Sequence, residues 1–261
     1  MMRAPDVTDF LRLRRISHNP LQVLRFRKAR EPGSTCSVRL RDGPPLTLRS
    51  GTADYHIFSR IFLREEYRLD LLPSRPLGVV VDVGANVGLF SARIAPRARR
   101  ILAVEPISEN FRRLERNTRE LPHVERIRAA VAGKTGPIRL LKAVGGSGSG
   151  RHSLYSSGVT GKDTEEVPAY SLEDLLLRHG VEACDLLKLD CEGAEYEILL
   201  EAPESTLSSI ERIHMEYHNV RPEDPRTRVD HLVGHLERSG LRTRIFPHRR
   251  HENHGMLFCR R

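Results

Sequence analysis

An acid and two glycines lie close together in the segment Val81-Asp82-Val83-Gly84-Ala85-Asn86-Val87-Gly88, within a run of β-branched residues. A glycine-rich turn between a buried strand and a helix is typical of a nucleotide-binding site. Gly84 permits a tight turn at the end of the strand, and Gly88 permits close approach at the start of the helix. The spacing differs from G-x-G-x-x-G, which places a diphosphate at the helix N-terminus, and Asp82 would repel that diphosphate. The segment therefore favours a cationic nucleoside, such as S-adenosylmethionine, over NAD.

Acids also follow two other predicted strands. Glu105 comes after the run 101–104 and stands 23 residues after the acid of the turn, an offset at which a carboxylate accepts hydrogen bonds from a ribose diol. Asp190 and Glu192 follow the buried run 186–189, and ligands bind at the carboxyl ends of strands in open α/β sheets. Carboxylates that face a crevice need cations, hydrogen-bond donors or water. These acids therefore predict a site for a positively charged ligand.

A general base is needed if the acceptor of a transferred group is a hydroxyl, because its proton must leave as the new bond forms. The segment His214-Met-Glu216-Tyr-His218 is typical of a strand, in which alternate side chains share one face. We predict His218 as the base, with Glu216 and Asp190 as the other catalytic candidates. The two imidazoles and the carboxylate could instead hold a divalent metal, but the pattern favours a site without a metal.

Strands and helices alternate after residue 78, which predicts an α/β fold with a doubly wound, mostly parallel sheet. A short return near the end of the chain predicts one antiparallel edge strand. Strands are predicted at 78–83, 101–104, 124–128, 138–141, around Val167, and at 184–189, 210–217, 242–246 and 255–260.

The chain divides near residue 50. Residues 1–50 are predicted to form a basic N-terminal arm or small cap, because 11–30 contains seven basic residues and no acidic one. Residues 51–261 are predicted to form the main domain. Within it we expect a cap helix at 52–72 and a candidate lid loop at 145–162, where glycine and serine are concentrated.

The charge of the chain restricts the class of partner. It has 43 basic and 34 acidic residues, a net charge of +9, and only five of the basic residues are lysine. Nucleic-acid binders concentrate basic residues on one face, whereas these arginines are spread along most of the sequence. A small-molecule acceptor is therefore favoured over nucleic acid, and a phosphate- or acid-bearing partner is the second interpretation.

Cysteine spacing and hydropathy restrict the compartment. No cysteine pair has the C-x-x-C spacing of a metal or redox site, and Cys184 and Cys191 are predicted to be small buried residues. No apolar run has the length of a signal peptide or of a membrane-spanning helix. These features predict a cytoplasmic protein that does not span a membrane.

Three segments together resemble the FkbM-type methyltransferase family: 79–90, 104–117 and 187–195. The last, Leu-Lys-Leu-Asp-Cys-Glu-Gly-Ala-Glu, is the most specific, and the likeness extends over roughly residues 45–218. The resemblance implies a Rossmann-like class I methyltransferase fold with a seven-stranded sheet and S-adenosylmethionine as the methyl donor. It also implies in-line O-methylation of a hydroxyl or carboxyl group on a small molecule such as a sugar or secondary metabolite.

The resemblance further implies donor-binding roles at the ends of the predicted strands. The residues expected to line the methionine part of the donor are Asp82, Gly84, Asn86 and Gly88. Glu105 is expected at the ribose, and Ala129 or Ala130 at the adenine. Asp190 and Glu192 are expected at the transferred methyl group.

Three alternatives stay open on the sequence alone. An RNA or DNA methyltransferase would bind with a strong salt dependence and would need aromatic stacking residues, but the chain has only eight Phe, six Tyr and no Trp. An NAD-binding oxidoreductase would need a third phosphate-binding glycine and a catalytic Tyr/Lys pair. A non-catalytic module would bind the donor without turnover. The sequence predicts no oligomeric state.

Overall fold

The central sheet of the computed structural model has seven strands. The structure describes residues 4–28, 31, 33–141, 164–219, 224–248 and 254–261. In spatial order the strands are β11 (Arg242–Pro247), β12 (His254–Arg260), β10 (Arg212–His218), β9 (Leu186–Leu189), β3 (Leu77–Val83), β4 (Ala98–Val104) and β5 (Val124–Ile127). Neighbours from β10 to β5 are parallel, and β12 is antiparallel to both of its neighbours. The predicted seven-stranded, mostly parallel sheet is confirmed, although the antiparallel strand lies second from the edge because β11 pairs along its outer side.

Both faces of this sheet are covered by helices, which explains why its central strands are continuously apolar. Successive strand residues point to opposite faces, so Val80 belongs to one buried cluster and Val81 to another. The helices on the face of Val80 are α4 (Leu89–Ile94) and α5 (Ser108–Thr118). Those on the face of Val81 are α6 (Leu172–Arg178), α7 (Glu195–Leu200), α8 (Glu204–Ser208) and α9 (Val229–Arg238).

The N-terminal segment packs into the core on the α4–α5 side. It consists of two helices and an antiparallel hairpin: α1 (Ala4–Ile16), α2 (Pro20–Lys28), β1 (Thr35–Val38) and β2 (Leu46–Arg49). Leu13 and Val23 are fully buried and belong to the same apolar cluster as α4 and α5. These buried residues pack the segment against the main sheet, and its described basic side chains are exposed except for Arg49, which is buried against Asp54.

The prediction of one cap helix over 52–72 is wrong. The segment starts as α3 (Asp54–Phe58), widens into a π-helical turn at Ser59–Leu63, and ends there. Glu65 and Arg68 then adopt left-handed backbone angles, with φ of 52° and 46°, which no α-helix tolerates. The break turns Tyr67 inward, where only 4% of its surface is exposed.

A second, three-stranded sheet stands apart from the central one. Its strands, in spatial order, are β6 (Ala130–Val131), β8 (Thr164–Tyr170) and β7 (Gly136–Leu141). Two of the strands predicted from the sequence, at 138–141 and around Val167, therefore belong to this sheet. The candidate lid loop at 145–162 lies outside the described residues. Among the helices of the described ranges, none combines the length and apolar character needed to cross a membrane.

Candidate active site

A cleft that is partly open to solvent lies at the carboxyl ends of β3, β4 and β9. The structure brings seven of the predicted donor-binding residues together in its walls: Gly84, Asn86, Glu105, Ala129, Ala130, Asp190 and Glu192. Cys191, which we expected to be buried, is half-buried and also lines the cleft, whereas Cys184 is buried as predicted.

Asp82 does not line the cleft, because its carboxylate is fully buried beneath the glycine-rich turn. Its Oδ1 atom lies 3.1 Å from Nζ of Lys188, and Ser91 donates a hydrogen bond of 2.6 Å to Oδ2. Lys188 also donates to the carbonyl oxygens of Val83 and Gly84, at 3.2 and 2.8 Å. Asp82 therefore acts on the turn through Lys188. Its carboxylate pairs with that lysine and does not contact the cleft.

Both glycines of the turn adopt positive φ angles, and close packing against backbone also requires Gly84. A Cβ atom on Gly84, whose φ is 72°, would lie 2.0 Å from the carbonyl oxygen of Asp190. On Gly88, whose φ is 83°, it would lie 2.8 Å from the side chain of Leu114 on α5. Gly84 thus sets how closely the turn approaches the end of β9. Gly88 seats α4 against α5 and does not reach the cleft.

Glu105 is fixed in the cleft by backbone amides. Its two carboxylate oxygens accept hydrogen bonds from the amides of Asn86 (2.9 Å) and Ile107 (3.0 Å). Burial raises the pKa of Glu105 to about 7, although these hydrogen bonds oppose the shift. Asn86 holds the turn in a left-handed conformation, with φ of 52°, while its Oδ1 accepts from the amide of Val87. The carboxylate is therefore presented in a fixed position to anything that enters the cleft.

Apolar side chains form the wall beside Glu105. Together with the predicted Ala129 and Ala130, this wall includes Ile107, Ile138 and Leu140. The last three were not predicted as site residues, although the period-two spacing of Ile138 and Leu140 on β7 indicated that they share one face. An apolar wall next to an acid suits a purine nucleoside.

A second cluster of polar residues lies where β9 and β10 end. Tyr67 donates a hydrogen bond of 2.6 Å to Oδ2 of Asp190. The Nε2 atom of His218 lies 3.7 Å from Oε2 of Glu192, and its Nδ1 lies 3.2 Å from Oε1 of Glu195. Neither Tyr67 nor Glu195 was predicted as a site residue. Glu195 is fully buried and accepts hydrogen bonds from two backbone amides at the start of α7.

The carboxylates of this cluster weigh against the predicted role of His218 as a base. Burial by itself would lower the pKa of His218, but the carboxylates of Glu195, Glu192 and Glu216 raise it to about 10. At neutral pH the imidazole therefore already holds the proton that a base would have to accept. The pKa of Asp190 is lowered, because nearby cations outweigh the effect of burial. Burial raises the pKa of Glu192 to about 7.

The other two predicted residues of β10, Glu216 and His214, make their contacts outside the cleft. Glu216 is buried and forms an ion pair of 2.7 Å with Arg60, which also pairs with Glu66. His214 is buried, and its Nδ1 lies 2.8 Å from the carbonyl oxygen of Tyr67. Burial lowers the pKa of His214 to about 4, so it is neutral. The alternative metal trio of His214, Glu216 and His218 is therefore not assembled.

The fold and the cleft together define a Rossmann-like class I methyltransferase. A family model described as the methyltransferase FkbM domain matches residues 82–242, and the chain belongs to this family. The methyltransferase class and the family expected from the sequence are thereby confirmed.

Several known proteins are similar to the chain, and the solved structure among them shares its fold. The AMB antimetabolite synthetase AmbE of Pseudomonas aeruginosa is 30% identical over 226 residues, which is 73% of this chain and 11% of AmbE. The 31-O-demethyl-FK506 methyltransferase FkbM of Streptomyces tacrolimicus is 25% identical over 214 residues, 70% of this chain and 82% of that protein. The crystal structure of a methyltransferase FkbM from Methylobacillus flagellatus KT has a TM-score of 0.51 at 14% identity, covering 98% of this chain and 59% of that one. The chain thus spans a small part of AmbE and little more than half of the solved structure.

Proposed function

We propose that the chain is an S-adenosylmethionine-dependent O-methyltransferase that acts on a hydroxyl or carboxyl group of a small molecule. The observation that carries the proposal is the division of one cleft into two chemically different halves. One half is an apolar slot with a fixed acid, Glu105, and the other ends in the carboxylates of Asp190 and Glu192. The first suits an adenosine and the second a cationic sulfur centre beside an acceptor oxygen.

The residues present fit this donor. S-adenosylmethionine supplies a methyl group bound to a sulfonium, which is a good leaving group. The apolar wall of Ile107, Ala129 and Ile138 suits its adenine, and the carboxylate of Glu105 suits the ribose hydroxyls. The turn at Gly84 would receive the methionine part. Gly88 and Asp82 contribute by holding that turn, through helix packing and through Lys188.

In the acceptor half of the cleft, Tyr67 and Asp190 position the acceptor and place a negative charge beside it. Tyr67 holds Asp190 in one orientation, and the lowered pKa of Asp190 keeps it ionised at neutral pH. An ionised carboxylate accepts a hydrogen bond from a hydroxyl group and so fixes the acceptor oxygen. Positioning of this kind contributes about 7–11 kcal/mol to a bimolecular reaction. Of the predicted catalytic residues, Asp190 keeps that role, whereas His218 lies against Glu195 and Glu216 is paired with Arg60.

Oxygen as the acceptor atom is supported by the name of one relative, and a small acceptor is supported by the pairing of surface charges. The Streptomyces tacrolimicus relative carries a name that describes methylation of an O-demethyl compound. In this chain, many arginines are paired with acids on the surface, among them Arg27 with Asp9 and Arg128 with Glu165. Because paired arginines are less available to phosphates, this arrangement favours a small acceptor over nucleic acid. The four cysteines are free thiols, which supports the cytoplasm as the place of reaction.

Calorimetry with S-adenosylhomocysteine, followed by a methyl-transfer assay, tests the proposal. We expect the parent chain to bind this product with one site and to transfer labelled methyl to hydroxylated small molecules. Glu105→Ala should abolish binding, whereas Glu115→Ala, on the exposed side of α5, should leave it unchanged. If the parent does not bind the nucleoside, or binds a pyridine dinucleotide instead, the proposal is wrong. Binding without transfer to any acceptor would assign a non-catalytic role.

A further inference from the structure

The side chains of Asp190, Glu192 and His218 meet at one edge of the sheet. β9 and β10 are parallel neighbours, with Leu189 beside Met215, so their carboxyl ends lie next to each other. One ligand atom from each of the three side chains lies within 4.8 Å of the others. From this geometry we propose that these three residues form a binding site for one divalent cation of the Mn²⁺ type.

The orientation of His218 is the first argument for this site. Its Nδ1 atom lies 3.2 Å from Oε1 of Glu195, and the fully buried Glu195 is itself held by the amides of Cys191 and Gly193. A histidine that binds a metal commonly donates its other ring N–H to a carboxylate, which fixes the tautomer and the ring. Here the arrangement leaves Nε2 as the atom that faces Glu192.

The orientation of Asp190 is the second argument. Tyr67 donates to its Oδ2 atom at 2.6 Å, and the ring of Tyr67 is itself packed 5.1 Å from that of Phe90. A ligating carboxylate usually has such an outer partner. Both Asp190 and His218 are therefore supported by residues that lie outside the trio, and the two supports come from different parts of the chain.

The balance of charge is the third argument. Four carboxylates lie in or beside the cluster: Asp190, Glu192, Glu195 and Glu216. Cations near them include Lys188, which pairs with Asp82, and Arg60, which pairs with Glu216. A divalent ion would replace the single proton on Nε2 of His218, because an imidazole that binds a metal is neutral. An added cation would therefore reduce the repulsion between carboxylates that are largely shielded from water.

The ligand set indicates which cation would bind. Carboxylates suit Mg²⁺ and Mn²⁺, and an imidazole adds preference for a transition metal. Metal–ligand bonds of about 2.0–2.2 Å place neighbouring ligand atoms roughly 3 Å apart, so the separation of 3.7 Å between Nε2 of His218 and Oε2 of Glu192 needs only a small contraction. Three protein ligands leave other positions for water or for an acceptor oxygen.

The role of such a cation rests on the proposed function. At this end of the cleft it would lie beside the acceptor oxygen and favour its deprotonated form, with the proton passing to solvent. The oxygen then forms a bond to the methyl carbon as the bond between that carbon and sulfur breaks. The cation would thus take over the task predicted for His218.

A titration with Mn²⁺ tests the site. The full chain is first treated with a chelator, and binding is then monitored by electron paramagnetic resonance in the absence of donor and acceptor. We expect one bound Mn²⁺ for the parent chain, and a Kd weaker by about 100-fold or more for Glu192→Gln and for His218→Ala. Glu195→Gln should weaken binding by about 10–100-fold, because it removes only the outer partner of His218. The matched control is Glu105→Gln, which alters a buried carboxylate of the same cleft and should bind Mn²⁺ like the parent.

Two results would overturn the site: no stoichiometric Mn²⁺ binding by the parent, or Glu192→Gln and His218→Ala variants that bind like the parent. Thermal melting shows which variants are folded. If His218→Ala is unfolded, Glu192→Gln alone decides the test, because the side chain of Glu192 is 26% exposed and its substitution should leave the fold intact. If Glu192→Gln abolishes methyl transfer but keeps Mn²⁺ affinity, Glu192 is a general base and the cation site is wrong. Since Mn²⁺ is measured without the donor, failure to bind S-adenosylhomocysteine would overturn the proposed function alone.

Discussion

The two halves of the cleft are built in different ways. In the donor half, Glu105 is held by the amides of Asn86 and Ile107, which lie 19 and 2 residues away along the chain. In the acceptor half, Tyr67 reaches across 123 residues to Asp190. Arg60 likewise reaches across 156 residues to Glu216. The donor half therefore depends on backbone groups of one βαβ unit, and the acceptor half depends on side chains that the segment 54–71 brings to the sheet.

This difference explains how one fold could keep its donor and change its acceptor. Every residue type except proline has a backbone N–H, so the cradle around Glu105 tolerates most changes in neighbouring side chains. The contacts of Tyr67 and Arg60 depend on the side chains themselves and on the broken helix that carries them. Substitutions in 54–71 should therefore alter the acceptor half without altering donor binding.

The largest effect is expected from Gly84→Ala, which acts where the two halves meet. The added Cβ would lie 2.0 Å from the carbonyl oxygen of Asp190, so β3 and β9 must separate. We expect a loss of about 3–5 kcal/mol in the free energy of unfolding, measured by urea denaturation. The matched control is Gly51→Ala, which has a φ of 76° but no atom within 4 Å of the place that its new Cβ would occupy. It should cost only about 1–2 kcal/mol of backbone strain; equal losses for both variants would show that the close approach at Gly84 is unimportant.

The next largest effect is expected from Glu105→Gln, which acts on the donor half alone. The variant removes the charge that would accept hydrogen bonds from the ribose, a contribution of about 1.5–3 kcal/mol for a charged group. Affinity for S-adenosylhomocysteine should therefore fall by roughly 10–100-fold in calorimetry. Mn²⁺ binding at the other half should be retained. A variant that binds the nucleoside like the parent would remove Glu105 from the donor site.

The same carboxylate predicts a pH dependence of donor binding. Burial raises the pKa of Glu105 to about 7, and ribose hydroxyls bond to its ionised form. Affinity should therefore increase as the pH rises through about 7, by at most tenfold per pH unit below that value. The comparison of calorimetric Kd values at about pH 6 and pH 8 measures this change. In Glu105→Gln the dependence should be absent, and its persistence there would assign it to another group.

The difference between the two halves also explains which site residues could be predicted from the sequence. The turn, Glu105 and the strand ends were predictable because each follows its own strand, and parallel strands end at one edge. The role of Asp82 was missed although a signal existed: Lys188 lies in a buried strand and needs a carboxylate, and Asp82 is its register partner in β3.

Tyr67 and Arg60 could not be predicted, because no local pattern indicates the residue that a helix break turns toward a strand more than 100 residues away. The protonation of His218 was missed for the same reason, since it is set by carboxylates from two segments.

A smaller effect, confined to the acceptor half, is expected from Tyr67→Phe. The variant keeps the ring that packs 5.1 Å from Phe90 but removes the hydroxyl that donates to Asp190. Loss of this hydrogen bond, worth about 1.5 kcal/mol, should lower kcat about tenfold and leave the Kd for S-adenosylhomocysteine unchanged. Tyr170→Phe, on β8, is the control. If donor affinity falls together with kcat, the two halves are not independent and the comparison fails.

The smallest effect is expected from Ile138→Val, in the apolar wall of the donor half. Ile138 is half-buried and lines the cleft from β7, so loss of one methylene should leave the fold intact. A buried methylene is worth about 0.8 kcal/mol, which corresponds to roughly fourfold weaker nucleoside binding. Ile245→Val, on the partly exposed edge strand β11, removes the same group away from the cleft and should leave the Kd unchanged. Equal Kd values for the parent and Ile138→Val would mean that the adenine does not contact β7, and the three-stranded sheet would then have no part in donor binding.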